Sequence, residues 1–462
     1  MFQTKIKKIN QRKQLKGFTF IEAVVLIAIV SLVTVSFYST FAVGIRNIAN
    51  SKIRLVAVSL ANQKMETIRS LAYDNIGTQG GIPAGNIAQN EDVTVDGKVY
   101  HINTYIHYID DPFDGTINDS DGIPTDYKEA RVTVKWGNDN NSHQQVFLVS
   151  TFVPSGVESS NGGGTLRINI MNSEAQGVSG ANIHLVNNST GVDLNTTTDS
   201  SGSVLLPGTP AGSDYQIKVS KSGYETVTTL APSPASPYNP VVDEHATVIE
   251  GSLNVKSIIE DLTSNVKIIT KDALGNILAN IDFNLTGGRA LGTKVSDGKT
   301  GYNFNQDLTT DTDGENEIED LSPGKYTFTL GTTASTNYEL VKLEPGDDND
   351  YTKFSLEDGV DTEIEAILAD KKITSLFLRV LDEDSNPLEG ATVHLYNATN
   401  TYDATATSDK YGQVYFPENS TELLSGGDYN LDIHLDGYND DNTTVTLSDG
   451  VLLTKEETLT AS

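Results

Sequence analysis

The chain has 462 residues, too many for one core and enough for several domains of ordinary size. Its formal charge of −30 deepens to −36 once the six bases of the first sixteen positions (Lys5, Lys7, Lys8, Arg12, Lys13, Lys16) are set aside, a field that repels phosphate backbones and excludes direct nucleic-acid binding by the acidic body. The absence of cysteine excludes disulfides, thiol nucleophiles and cysteine-ligated zinc or iron–sulfur centres, so an exported product must hold its domains by packing alone.

The basic N-terminus runs into an apolar stretch, Phe18–Ile45, whose 28 residues carry one charge, Glu22. As a helix it is long enough to cross a hydrocarbon core of about 30 Å, and the bases before it place the rest of the chain outside under the positive-inside rule. A carboxylate inside such a span costs about 2.5 to 3.5 kcal/mol on insertion scales, so Glu22 asks for a partner. The segment GFTFIE resembles the type IV prepilin signature. That resemblance implies cleavage by prepilin peptidase between Gly17 and Phe18, N-methylation of Phe18, and a role for Glu22 in assembly, meeting the N-terminal amine of a neighbouring pilin subunit. A Sec-type signal would be shorter and end at small residues. An ordinary signal anchor fits the length but leaves Glu22 and the Gly17 boundary unexplained.

Beyond the span, Ile53, Val56, Ala57, Leu60, Ala61, Met65, Ile68 and Leu71 keep helical spacing, with no proline before Pro83. One helix of about 80 Å is expected from Phe18 to Leu71, its second half laid on a sheet. Asp96-Gly97 is a hairpin signal, followed by the period-two face Tyr100, Ile102, Thr104, Ile106 and Tyr108. Val132, Val134 and Trp136 alternate with Arg131, Thr133 and Lys135, and after the turn GNDNN comes QQVFLVSTFV. The stretch is similar to minor-pilin heads, extending the resemblance over residues 17 to 153. Between these strands Asp110, Asp111, Asp114, Asn118, Asp119 and Asp121 supply oxygen ligands of the type Ca²⁺ takes, without EF-hand spacing; the competing reading is a solvated Asp/Gly turn.

SGVESSNGGG, residues 155 to 164, has the composition of a flexible linker. Three units then follow one script. Each opens on a short alternating strand (Leu166, Ile168, Ile170; Val266, Ile268, Thr270; Leu376, Leu378, Val380). Each later places Asp and Gly three apart, at 199 and 202, 311 and 314, and 409 and 412, and then a tyrosine, Tyr215, Tyr326 or Tyr429. The first and third units close on KSGY and LDGY. These landmarks resemble carboxypeptidase regulatory-like domains, transthyretin-like sandwiches related to collagen-adhesin modules, with the first and third units matching best. The related modules often carry a Lys–Asn isopeptide bond. Lys267 and Lys271 sit near a suitable start, but TFTLGTT after the late tyrosine lacks the promoting glutamate, so no bond is expected.

The resemblance imports no activity. No HExxH or HxxE motif, Ser/His/Asp set or P-loop is present, and His184 and His394 occupy equivalent outward strand positions in separate units; no enzyme is expected. The expected fold is an α+β pilin module, a long N-terminal transmembrane helix plus antiparallel sheet, followed by three all-β sandwich domains. The expected boundaries are a leader over 1–17, the helix over 18–72, a β head over 73–154, the linker over 155–164, and sandwiches over 165–250, 262–369 and 373–460. The functional expectation is a minor pilin or pilin-like subunit of a type IV pilus or related filament. Its partners would be prepilin peptidase, other pilin subunits and the membrane. It would be single-pass in the cytoplasmic membrane before assembly and would then display the modules outside the cell, for adhesion to a surface, protein or glycan or as spacers. The alternatives are a membrane-anchored adhesin that never enters a filament and a pseudopilin of a secretion or uptake system. No cofactor is expected apart from the Ca²⁺ candidate.

Overall fold

The computed structural model describes residue 17 and residues 19–113, 115–117, 124–137, 144–154, 163–397 and 402–462. By contact density the chain divides into two compact units. One holds Met1–Gln79, Gly85–His107 and Tyr127–Ser155; the other holds Gly80–Ala84, Tyr108–Asp126 and Gly156–Ser462.

In the first unit a single helix, α1 (Phe20–Arg69), runs for 50 residues, about 75 Å at 1.5 Å per residue. Its second half buries Ala57, Ala61, Met65 and Ile68, with Ile53, Val56, Leu60 and Leu71 packed beside them, the whole of the stripe read from the sequence. The stripe meets a four-stranded sheet ordered β1 (Asn90–Val95), β2 (Lys98–Ile109), β3 (Tyr127–Trp136), β4 (Gln145–Phe152). Asp96 and Gly97 join β1 to β2 at φ 51° and 75°, the left-handed pair that a two-residue hairpin of the right twist demands. Tyr100, Ile102 and Ile106 of β2 and Ala130, Val132, Val134 and Trp136 of β3 face the helix, and the alternate positions face away. Lys128 shares the inward parity of β3. It is 1% exposed, and its ammonium donates at 2.8 Å to both Tyr73 O and Ile76 O, fastening the chain where it leaves α1. The turn GNDNN lies largely outside the described residues.

The second unit contains three two-sheet sandwiches. In each, the opening strand is the centre of a sheet, flanked on one side by the closing strand, in parallel, and on the other by an antiparallel neighbour. Gly163–Met171 lies between Leu253–Ile259 and Ser203–Pro210; Ser264–Asp272 between Thr362–Asp370 and Glu315–Leu321; Ser375–Leu381 between Leu452–Thr458 and Gln413–Phe416. The expected inward residues of these opening strands, from Leu166 to Val380, are all essentially inaccessible. The facing sheets centre on Asn182–Asn187, Asp282–Lys294 and, in the third module, the neighbouring pair Thr392–Asn397 and Gly427–His434.

The repeated landmarks have physical causes. Tyr215, Tyr326 and Tyr429 are the three largest fully buried side chains, and each hydroxyl donates to a backbone carbonyl four or five residues upstream: Pro210 at 2.6 Å, Ser322 at 2.7 Å and Ser425 at 3.0 Å. This is a tyrosine corner, which satisfies the phenol while its ring fills the core. Asp199, Asp311 and Asp409 each accept two backbone N–H bonds, from residues two and four further on, and so shape the turn. The glycines three residues later sit at φ 80°, 72° and 70°; a Cβ on Gly412 would lie 2.4 Å from Val380 O. Turn chemistry accounts for the repeated Asp/Gly pairs.

Three boundaries differ from the sequence reading. Gly163 and Gly164, read as linker, open the first strand of the first module. That module does not end at 250, because Leu253–Ile259 completes its sheet across seven register pairs. The head does not hold all of 73–154, since 80–84 and 108–126 belong to the unit of the modules, where Asp193 N–H donates to Gly80 O at 2.7 Å.

Candidate functional site

The N-terminal boundary of α1 is built by local chemistry. Thr19, extended at φ −76° and ψ 155°, caps the helix: its hydroxyl accepts from Glu22 N–H at 3.2 Å, while the Glu22 carboxylate accepts from Thr19 N–H at 2.9 Å and from the Thr19 hydroxyl at 2.9 Å. Two of the four N–H groups that a helix start leaves unpaired are thereby satisfied reciprocally. Gly17 precedes the cap, fully open, with no atom near where a Cβ would stand. Phe18 lies outside the described residues. The sequence reading treated Glu22 as a charge without a local partner. The spacing Thr-x-x-Glu at 19–22 is the sequence signal of this capping box.

From Phe20 to Ile48 the large apolar side chains of α1 are exposed around the whole circumference, whereas from Ala57 to Ile68 one face is buried in the head. By length and composition α1 can cross a membrane. A helix apolar on all sides is stable only in lipid or against other apolar helices, and here such a segment is continuous with one that anchors a folded head. Ser31, Thr34 and Thr40 return their hydroxyls to carbonyls four residues back, which lowers the cost of burying them in lipid.

The remaining candidates make the following contacts where they are described. Asp110 Oδ2 accepts from Ile117 N–H at 3.1 Å and Asp111 Oδ1 from Phe113 N–H at 3.0 Å, bonds that close the loop on itself. Asp114, Asn118, Asp119 and Asp121 lie outside the described residues. Among the described residues no trio of His, Cys, Asp or Glu is placed to hold a metal. His184 and His394 project from equivalent strands and meet Asp193 at 2.7 Å and Asp403 at 2.8 Å on the neighbouring strand. Lys267 pairs with Glu315 at 2.8 Å and Lys271 with Glu365.

Sequence reasoning missed a charge cluster. Glu225 and Asp243 of the first module are 5% and 3% exposed, and both accept from Arg289 of the second. Glu260 beside them is fully buried, and neither carboxylate oxygen has a hydrogen-bond partner. Burial first, then the charge of Glu225, push its carboxyl up to about 7, against the pull of Lys221 and Arg289.

Two family models match within the modules: the carboxypeptidase regulatory-like domain over residues 165–243 and the prealbumin-like fold domain over residues 264–359. These two matches accord with the β-sandwich architecture of the first two modules. The middle unit, the least regular in sequence, matches a family model of its own. No curated protein matches the chain. Among solved structures, the Bacillus anthracis TIE protein aligns at 15% identity over 80% of this chain and 73% of its own, with a TM-score of 0.20. The streptococcal ancillary pilin aligns at 15% identity over 65% of this chain and 99% of its own, with a TM-score of 0.18. The shaft pilin SpaA from Lactobacillus rhamnosus GG aligns at 12% identity over 43% of this chain and 98% of its own, with a TM-score of 0.17.

Proposed function

We propose that this chain is a minor pilin-like subunit of a type IV pilus or related filament. In this reading prepilin peptidase cuts between Gly17 and Phe18, the new N-terminus is methylated, and α1 passes from the membrane into a filament core while the β-sandwich modules are displayed outside the cell for adhesion or spacing. The observation that carries the reading is the division of labour along one helix: apolar on every side from Phe20 to Ile48, and one-sided against a β head from Ala57 to Ile68. GFTFIE at its start adds the processing motif, and Glu22 at the third helical position supplies a carboxylate at the end of the apolar segment. Roughly 300 residues of appended modules, on the scale of two or three ordinary domains, are too bulky for every subunit of a packed filament, which favours a low-copy subunit. A membrane-anchored adhesin that stays out of filaments shares all features except the processing motif. Mass spectrometry of the protein from membranes and from sheared filaments decides between them. The expected N-terminus is N-methyl Phe18 in both fractions; an intact Met1, or absence from the sheared fraction, overturns the filament reading.

A further inference from the structure

The passage from the first module to the second is buried at its start. Residues 260–263 connect the closing strand of one to the opening strand of the next; Glu260 is 0% and Asp261 8% exposed, Glu260 N–H donates to Met171 O at 2.9 Å, and Thr263 N–H donates to Gly223 O at 3.1 Å. Across this passage the two modules exchange parts. The second sends Arg289 from a bulge in Asp282–Lys294, where Gly288 takes φ 78°, and its guanidinium binds Glu225 at 3.1 Å and 2.5 Å, Asp243 at 2.9 Å, and Ile259 O. The first sends residues 238–239, which pair antiparallel with Lys294 and Thr293 at the end of that same strand.

Three buried carboxylates, Glu225, Asp243 and Glu260, thus share one guanidinium. Two are held by it directly, and Glu260 has no hydrogen-bond partner. The other charged groups facing the passage include Lys221, Asp261, whose Oδ1 accepts from Ser173 N–H at 2.7 Å, Asp358, whose Oδ1 accepts from Leu262 N–H at 2.6 Å, Asp320, whose Oδ1 accepts from the Thr263 hydroxyl at 3.3 Å, and Glu174 near Asp358. The second junction is mixed: Val341, Ala369 and Phe377 form an apolar cluster with Ile367, Tyr415 and Leu452, and around it Lys410 pairs with Asp348 at 3.0 Å, Lys342 with Asp409 at 3.6 Å, and the Tyr411 hydroxyl donates to Asp347 O at 2.5 Å.

We propose that the first two modules close on each other as an acid-tightened latch, in which Arg289 grips Glu225 and Asp243 and the proton on Glu260 decides how firmly the grip holds. With Glu260 neutral, the Arg289 cation faces its two bonded acids and the trio carries one net negative charge. With Glu260 ionised, a third negative charge sits dry beside Glu225, and separating the modules relieves it by letting water in. The ion pairs of the second junction are partly exposed and each acid there has its cation, so that junction should not respond in the same way. Arg289 is therefore a clasp and Glu260 a regulator, built where the first two modules meet.

The absence of cysteine makes the test clean, because introduced cysteines are the sole labelling sites. In the full chain in detergent micelles, spin labels at Asn188→Cys and Asp313→Cys, both exposed, report the first junction, and labels at Asp313→Cys and Glu422→Cys report the second. Distances are measured by double electron–electron resonance at about pH 5.5 and about pH 8.5, either side of the Glu260 titration. The expected result is a narrow distribution at the lower pH that broadens roughly twofold at the higher pH across the first junction only, as ionised Glu260 loosens the latch. Glu260→Gln, which keeps the shape without the charge, should be narrow at both pH values, and Arg289→Met broad at both. The proposal is overturned by a wild-type width that ignores pH, by a Glu260→Gln variant that broadens like wild type, or by equal broadening at both junctions.

Discussion

In the proposed filament the Glu22 carboxylate would serve two partners, one local and one in a neighbouring subunit, and a substitution separates them. Within the chain it closes a capping box with Thr19, an arrangement worth about 1 kcal/mol, or roughly fivefold in an equilibrium. Between subunits it would neutralise an amine in an apolar filament core, where removing one partner of a buried pair costs about 3 to 5 kcal/mol, a factor above roughly a hundred. Glutamine at the third helical position keeps the carbonyl oxygen that accepts from Thr19 N–H but discards the charge. Glu22→Gln should therefore leave processing and insertion intact yet fall with Glu22→Ala to below about one hundredth of wild-type incorporation. Thr19→Ala, which damages only the cap, should lose no more than several-fold. The assay is the ratio of sheared-filament to membrane signal on quantitative immunoblots. If Glu22→Gln assembles like wild type while Thr19→Ala and Glu22→Ala fall together, Glu22 is a helix cap and the intersubunit role is wrong.

Burial pulls the Lys128 ammonium down to about 8, so between that pH and about 10.5 the unfolded chain binds more protons than the head does, and head stability should rise across this window by up to about 3 kcal/mol. Urea titrations should find that rise in wild type and not in Lys128→Met; a flat wild-type profile counts against it. Tyr326→Phe removes a buried hydroxyl 2.7 Å from Ser322 O and should cost the second module about 1 to 2 kcal/mol, read as a lower denaturation midpoint at unchanged slope. Gly412→Ala should cost about 2 kcal/mol or more, because strain at φ 70° adds to the clash with Val380 O, whereas Gly390→Ala, at φ 83° with nothing nearby, should cost about 1 kcal/mol; equal costs would refute the steric account. Since Asp110 and Asp111 already accept backbone bonds, millimolar calcium should leave the melting temperature of the chain unchanged, and a saturable upward shift would restore the calcium reading of their loop.

What could be read ahead of the structure was what periodicity and turn chemistry encode locally. Ala57 to Ile68, Tyr100 to Ile106 and the three opening strands each bury one face against a core, so their spacing carries the signal. Asp96-Gly97 and the Asp/Gly pairs are legible because few residues tolerate those backbone angles. The closing strand Leu253–Ile259 escaped because it lies at a sheet edge with most positions at least partly exposed, and Thr165, the register partner of Leu253, lies 88 residues earlier. Arg289 read as part of an extra loop for the same reason: the acids it meets are 46 and 64 residues away. Lys128 was within reach, since counting back by twos from Val132 places it inward, but a lysine on that face runs against the hydrophobic expectation.

The parallel pairing of first and last strands has a mechanical meaning. In each sandwich the chain enters at the start of one strand and leaves at the end of its parallel neighbour, joined over seven register pairs. Traction on the two ends therefore slides the strands lengthwise, loading every rung of the ladder at once, where an antiparallel pair pulled from adjacent ends would unzip one rung at a time. A molecule strung from such sandwiches bears tension as a rope bears it, along its strands.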